Sequence, residues 1–213
     1  MKKVGLFIGM VLLVTAGFAQ VKDQKALTLL NEVSAKAKSS KTIKADFSYT
    51  MENKQAKINE TKKGTLLVSG DKYKLTAAGQ TVICNGKTVW TYLKESNEVQ
   101  VNNLEDKDEA LTPSKLLTSY SKNYKATIIK DKANTDPNAV SMELIPNVQK
   151  NFTKAILTVD KIKKQVLSFR LFDKSGNIFT YKVTNYQVNV PSTPSDFTFD
   201  ASKFPGVDVI DMR

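Results

Sequence analysis

The sequence predicts a mainly β protein with some helix, in which about eleven strands form an antiparallel sheet. Residues 43–51 alternate apolar and polar side chains, which is typical of a strand with one buried and one solvated face. Similar segments recur along the chain, and turn residues such as Asn85-Gly86, a strong hairpin signal, separate them. Residues 24–38 and the segment that Thr112-Pro113 opens have apolar residues at helical spacing instead.

Both predicted helices are amphipathic, so each has a face suited to covering a sheet. The apolar side of the first, over residues 24–38, is formed by Ala26, Leu30, Val33 and Ala37. The second has Thr112 as its N-cap and Pro113 in its first turn, and its apolar side contains Leu116, Leu117 and Tyr120. A sheet with one apolar face has to be covered, and these helices are the available covers.

The predicted strands fall in two groups along the chain. The first strand has an apolar side formed by Ile43, Ala45, Phe47, Tyr49 and Met51. Further strands are predicted near 61–69, 72–77, 80–84, 88–93 and 98–103, and then near 124–131, 139–145, 154–160, 165–172 and 177–187. An acidic segment, residues 104–111, separates the two groups. The tail after Pro191 is irregular, and we expect Phe197, Phe199 and Phe204 to dock on the rest of the fold.

The N-terminus has the pattern of a secretory signal peptide. Met1-Lys2-Lys3 is basic, residues 4–16 are apolar, and Gly17-Phe18-Ala19 places small residues where a signal peptidase reads them. The apolar run is shorter than the roughly 20 residues that span a bilayer. We therefore expect residues 1–19 to be removed and residues 20–213 to form one exported, soluble domain.

Composition excludes several classes of function. The formal net charge is +11, but nearly all of it comes from scattered lysines, since Arg170 and Arg213 are the only arginines. Nucleic-acid binders typically cluster their basic residues and use arginine for bidentate contacts, so a nucleic-acid partner is not expected. Histidine is absent, which removes the commonest general base and most zinc sites. The single cysteine, Cys84, excludes an intramolecular disulfide, and its alternating strand predicts a buried, inert thiol.

The carboxylates do not form a convincing catalytic pair. They lie on strand faces or in turns, where aspartate caps local backbone amides, and the candidates are Asp46, Asp71, Asp131, Asp160 and Asp173. The acidic run at residues 105–109 lacks the spacing of a calcium loop. We therefore expect no catalytic residue, no metal site, no cofactor and no enzymatic activity.

Several short motifs, in order along the chain, resemble the LolA family of periplasmic carriers of outer-membrane lipoproteins. The most specific is residues 85–92 (NGKTVWTY), which is similar to that family's central hairpin. Residues 64–68 (GTLLV) resemble its second strand, and residues 112–117 resemble its second helix. Residues 197–199 and 205–207 resemble its C-terminal segment. The resemblance covers nearly all of the chain after the predicted signal peptide.

The resemblance implies an incomplete, strongly curved antiparallel barrel with a helical lid over its concave face. It implies a carrier that holds the acyl chains of lipoproteins between sheet and lid and moves them from the inner to the outer membrane of a Gram-negative bacterium. The implied partners are acylated lipoproteins, an ATP-driven release complex in the inner membrane and an acceptor in the outer membrane. A carrier or sensor of free lipid or glycolipid on the same fold is the alternative.

The candidate ligand-binding residues are apolar side chains that we expect to face such a cavity: Phe47, Tyr49, Leu66, Val68, Tyr73, Leu75, Val82, Trp90, Tyr92, Leu116 and Leu117. The alternative is that they fill a dry core. Trp90 suits such a structural packing role as well as it suits contact with a ligand. One departure from the family is notable. Its carriers typically have an arginine before a proline after the second strand, and here Gly70-Asp71 occupies that place. Glycine has no side chain to hydrogen-bond, so the lid must be held differently or more weakly.

Overall fold

The computed structural model describes residues 23–104, 124–132 and 134–213. The predicted signal peptide lies outside the described residues, as does the predicted second helix with Leu116 and Leu117. None of the helices in the described part of the chain has the length and apolarity needed to cross a membrane.

One α-helix and twelve strands make up the described fold, together with two short 3-10 helices at Pro194–Phe197 and Ala201–Lys203. The α-helix and the strands are α1 (Gln24–Lys38), β1 (Ile43–Asn53), β2 (Ile58–Ser69), β3 (Lys72–Ala77), β4 (Gln80–Cys84), β5 (Thr88–Leu93), β6 (Glu98–Asn103), β7 (Tyr124–Ile129), β8 (Ala139–Pro146), β9 (Phe152–Asp160), β10 (Gln165–Asp173), β11 (Ile178–Val188) and β12 (Asp208–Asp211). The mainly β fold that the sequence predicts is confirmed. β12 was not predicted, because it is short and fully exposed and has no buried side to give an alternating pattern.

All twelve strands belong to one sheet, in the order β12-β6-β5-β4-β3-β2-β1-β11-β10-β9-β8-β7. Neighbouring strands are antiparallel except β12, which runs parallel to β6. The edge strands β12 and β7 do not pair with each other, so the curved sheet stays open, as predicted. The centre of the sheet is the pair β1 and β11, which come from opposite ends of the chain.

Helix α1 covers one face of this sheet, which we call the inner face. Asp23 caps the helix, and its Oδ1 accepts hydrogen bonds from the backbone amides of Lys25 and Ala26. The side of the helix that is buried carries Ala26, Leu29, Leu30, Val33 and Ala37. These residues share one apolar core with inner-face side chains from β7 to β10, among them Met142, Leu144 and Leu157. That part of the inner face is filled with protein.

The C-terminal segment packs on the opposite face, which we call the outer face. Its Phe197 is buried, and the rings of Phe199 and Phe204 lie 5.8 and 4.6 Å from the ring of Tyr92. The segment then adds β12 to the edge of the sheet beside β6. The expectation that the tail's phenylalanines dock on the fold therefore holds, and the tail forms a second, smaller apolar core.

Candidate hydrophobic site

Strand register decides which predicted site residues share a face, because directly opposed residues point to the same side of a sheet. Val68 lies opposite Tyr73, and Leu66 lies opposite Leu75, which in turn lies opposite Val82. On the neighbouring strand Ile43 lies opposite Val68. The inner face therefore brings together seven of the predicted residues: Phe47, Tyr49, Leu66, Val68, Tyr73, Leu75 and Val82.

These seven residues are not equally covered. Val68 and Tyr73 are each 5% exposed and belong to the core beneath α1. Leu66, Leu75 and Val82 are only half-buried and pack against the margin of that core. The inner face thus divides into a filled half, which comprises β7 to β10 and the adjoining row of Ile43, Val68 and Tyr73, and a less covered half, which holds Leu66, Leu75 and Val82 on β2 to β4. We take the less covered half as the candidate site, since it holds apolar surface that the described protein does not bury.

Aromatic rings from the two central strands adjoin the candidate site. The ring of Tyr49 lies 5.1 Å from that of Tyr181 and stacks on that of Phe179 at 6.3 Å. The ring of Phe47 lies 5.9 Å from that of Tyr181. Phe179 and Tyr181 were not among the predicted site residues. The sequence did contain a signal, since both occupy alternate positions of the predicted strand 177–187 with polar residues between them, which is the pattern of an apolar strand face.

The tyrosines of this face lie in an environment of low polarity. Burial raises the pKa of Tyr73 and the pKa of Tyr181 to about 12. Burial also raises the pKa of Tyr49 and that of Tyr186, and for Tyr49 the charge of Glu60 adds to the effect. A desolvated phenol stays neutral at physiological pH. The face can therefore bury apolar groups and offers uncharged hydroxyls around them.

Trp90 and Tyr92 require a correction, because the structure places them on the outer face. Trp90 lies opposite Ile83 and Val101, one residue out of step with the inner-face row through Val82. Tyr92 follows on the same side, packs against the C-terminal phenylalanines and donates a hydrogen bond from its hydroxyl to Asn97 Oδ1 at 3.0 Å. Tyr92 thus holds the C-terminal segment, and neither Tyr92 nor Trp90 is part of the candidate site.

A hollow of about 170 Å³ lies where the family resemblance places the lid arginine. It lies between the end of α1 and the turn from β2 to β3, and its lining residues are Ala37, Lys38, Ser40, Ile43, Val68, Gly70 and Asp71. Gly70 has a φ of +58°, and a Cβ there would meet nothing within 4 Å. The described helix is instead joined to the sheet near its start, through Asp23 to the amide of Ile128, and near its middle, through Glu32 to Lys164.

The carboxylates that could have formed a catalytic pair have structural roles. Asp160 and Asp173 accept hydrogen bonds from backbone amides in their own turns, and these bonds contribute to a lowered pKa in each. Asp131 is paired with Arg170, and Asp46 accepts a hydrogen bond from Asn185. Cys84 is completely buried, and burial raises the pKa of its thiol, as expected for an unreactive cysteine.

An open, curved antiparallel sheet with a helix over one apolar face places the chain in the class of half-barrel proteins. The sequence model of one family in that class, described as outer membrane lipoprotein carrier protein LolA, matches residues 38–200. The chain belongs to this family. The resemblance drawn from residues 85–92 and the neighbouring motifs is thereby confirmed.

Individual relatives are distant. An outer-membrane lipoprotein carrier protein of Coxiella burnetii is 26% identical over 131 residues, which are 62% of this chain. The chain spans 60% of the length of that curated relative. Among solved structures, an uncharacterized conserved protein from Thermus thermophilus matches 88% of this chain and 99% of its own, with a TM-score of 0.54 and 14% identity. Lipoprotein LppX of Mycobacterium tuberculosis matches 80% of this chain and 98% of its own, with a TM-score of 0.50 and 9% identity. At these identities the two structures support the fold alone.

Proposed function

We propose that this protein is a periplasmic carrier that binds the acyl chains of lipoproteins on its inner face and moves them from the inner to the outer membrane. The observation that carries the proposal is the unequal covering of one apolar face. Helix α1 fills the half from β7 to β10, whereas Leu66, Leu75 and Val82 remain half-buried on the other half. Membership of the carrier family gives this surface its expected ligand.

Burial alone supplies enough free energy for such a carrier. Each methylene group removed from water contributes about 0.8 kcal/mol, so one acyl chain contributes on the order of 10 kcal/mol before the costs of association. Binding of this kind makes and breaks no bond and needs no cofactor. We therefore propose a carrier and not an enzyme.

Release requires that the cover over the site can open. The described links between α1 and the sheet, from Asp23 and Glu32, both lie on the side of β7 to β10. The other side, at Gly70, has a hollow in place of an arginine side chain. We propose that α1 stays attached along β7 to β10 while the side of the site near Gly70 opens. Leu116 and Leu117 remain predicted members of the cover.

The compartment and the partners follow from the same proposal. Residues 1–19 would direct export and be removed, leaving residues 20–213 in the periplasm. The protein would receive lipoproteins from an ATP-driven release complex in the inner membrane and deliver them to an acceptor in the outer membrane. The family description supports lipoproteins as the cargo.

Native mass spectrometry of the protein purified from the periplasm tests the proposal. We expect a species whose added mass corresponds to triacylated lipoprotein. Free phospholipid or glycolipid in its place would support the alternative, a carrier or sensor of free lipid. A protein that stays empty and takes up neither ligand in vitro would contradict both.

Adjacent residues provide a matched pair of variants. Leu66 points to the inner face, whereas Leu67 lies opposite Lys74 on the outer face, and both side chains are half-buried. The substitution Leu66→Asp places a charge in the candidate site and should abolish acyl binding. The substitution Leu67→Asp makes the same chemical change beside two lysines, Lys44 and Lys74, and should leave binding intact. Circular dichroism of both variants establishes that the sheet remains folded.

A further inference from the structure

At one position of the inner face, neighbouring atoms leave room for no residue larger than glycine. Gly64 lies in β2 directly opposite Phe47 in β1. A Cβ at position 64 would lie 2.4 Å from Cζ and 2.7 Å from Cε2 of the Phe47 ring, and 2.8 Å from the backbone oxygen of Thr76. Real Cβ atoms do not approach other atoms so closely, because packed interiors leave no such overlap. The Phe47 ring therefore lies across bare backbone, and only glycine permits that position.

This contact lies where the apolar part of β2 ends on the inner face. Along β2 the inner-face positions change from buried Val68 to half-buried Leu66, then to Gly64, and then to the exposed Lys62 and Glu60. The aliphatic surface thus gives way to charged residues immediately beyond Gly64. The ring that covers Gly64 is the last apolar group before that change along this strand.

The ring of Phe47 is also held from the side of β11. It lies 5.9 Å from the ring of Tyr181, which lies 5.1 Å from the ring of Tyr49, and only 7% of Phe47 is exposed. These rings separate the half-buried aliphatic residues from the charged end of β2. A side chain at position 64 would lift the ring away from β2 and into the space above the inner face.

We propose that the contact between Phe47 and Gly64 sets the length of acyl chain that this protein accepts. The inference rests on the proposed acyl binding and names the residues that determine its specificity. With the ring flat on β2, an acyl chain that runs along β2 and β3, over Leu66 and Leu75, extends as far as the ring. A raised ring shortens that path, and a smaller side chain at position 47 lengthens it. Each methylene gained or lost changes affinity about fourfold, because burying one contributes about 0.8 kcal/mol.

The test uses a series of saturated fatty acids that differ by two methylenes, with affinities measured by displacement of a fluorescent apolar dye. The substitution Phe47→Leu should move the optimum toward longer chains, and Gly64→Ala should move it toward shorter ones. The matched control is Phe172→Leu, because the Phe172 ring lies on the outer face beneath the Lys154 ammonium. Its chain-length optimum should equal that of the unaltered protein.

The substitution Gly64→Ala also presses on the backbone of β3 at Thr76 and is expected to lower stability. The substitution Phe47→Leu introduces no such contact and keeps the test decisive if Gly64→Ala does not fold. If the unaltered protein binds the series and Phe47→Leu leaves the optimum unchanged, the inference is wrong while acyl binding stands. If the unaltered, delipidated protein binds no member of the series, acyl binding itself is contradicted, and the inference with it.

Discussion

The Asp23 carboxylate joins helix α1 to Ile128 of the edge strand β7. Its Oδ2 accepts a hydrogen bond from the backbone amide of Ile128 at 3.0 Å, while its Oδ1 caps the first turn of the helix. One side chain thus orders the start of the helix and accepts a hydrogen bond from a backbone donor on an edge strand of the sheet. The attachment of α1 to the sheet should depend on this residue more than its exposed position suggests.

The substitution Asp23→Asn should separate the two roles. Asparagine keeps one acceptor oxygen and is a good N-cap, but its second group is an NH₂ donor that cannot accept from the Ile128 amide. We expect faster hydrogen exchange at Ile128 with little change in the first turn of α1. The substitution Asp23→Ala should accelerate exchange at both places and lower the Tm. Unchanged exchange at Ile128 in both variants would show that the carboxylate does not hold the strand.

The same carboxylate should make the attachment of α1 sensitive to acid. The hydrogen bond from the Ile128 amide, followed by that from Ala26, lowers the pKa of Asp23 below its ordinary value. A group whose pKa is lower in the folded state contributes stability above its unfolded pKa and loses it as the pH falls through the folded pKa. We therefore expect the Ile128 amide resonance to shift in NMR spectra below about pH 4. The Asp23→Asn protein lacks the titrating group and should not show this transition.

Truncating a leucine side chain should lower the free energy of unfolding more in the filled half of the inner face than in the less covered half. Leu157 is fully buried in the filled half, so Leu157→Ala should lower the free energy of unfolding by about 3 kcal/mol. Leu75 is half-buried in the candidate site, so Leu75→Ala should cost only about 1 kcal/mol. Acyl affinity should respond in the opposite order, with the larger loss in Leu75→Ala. Urea denaturation and ligand titration of the two variants measure both quantities, and equal effects on affinity would argue against a site on β2 to β4.

The C-terminal segment should be separable from ligand binding. Phe204 packs its ring on Tyr92 and Phe199 on the outer face. The substitution Phe204→Ala removes both ring contacts and should lower stability by about 2 kcal/mol. We expect faster proteolysis of the segment after Pro191 and unchanged acyl affinity. Reduced affinity would mean that the outer core supports the site across the sheet.

The sequence predicted most strands and the first helix because their patterns are local. Residues 43–51 alternate clearly, and the Asn85-Gly86 turn marks a hairpin between β4 and β5. The face of Trp90 and Tyr92 could not be predicted in the same way. Both faces of β4 and β5 carry apolar residues, and alternation cannot choose between two such faces. The choice depends on the C-terminal segment, which is about a hundred residues away in the chain and covers one of them.

The sequence predicted only part of the candidate site, because it shows local strand patterns but not which distant strands pair. Phe47, Leu66 and Leu75 lie in strands with one clear apolar side, and the structure brings them together. Phe179 and Tyr181 join them only because β11 returns to pair with β1. The role of Gly64 could not be predicted, since it depends on where the ring of Phe47 comes to lie.

The pairing of β1 with β11 has a consequence for how the protein reaches its folded state. The two strands are separated by most of the chain, so the middle of the sheet closes only after the intervening segments have been made. The entropic cost of closing so long a loop arises before the two strands make their stabilising contacts. This order of events slows folding. Until β11 arrives, β1 is an unprotected edge and its apolar side lacks the rings of Phe179 and Tyr181. A newly made chain should therefore pass through a long-lived, aggregation-prone intermediate and depend on general folding factors before it reaches the folded state.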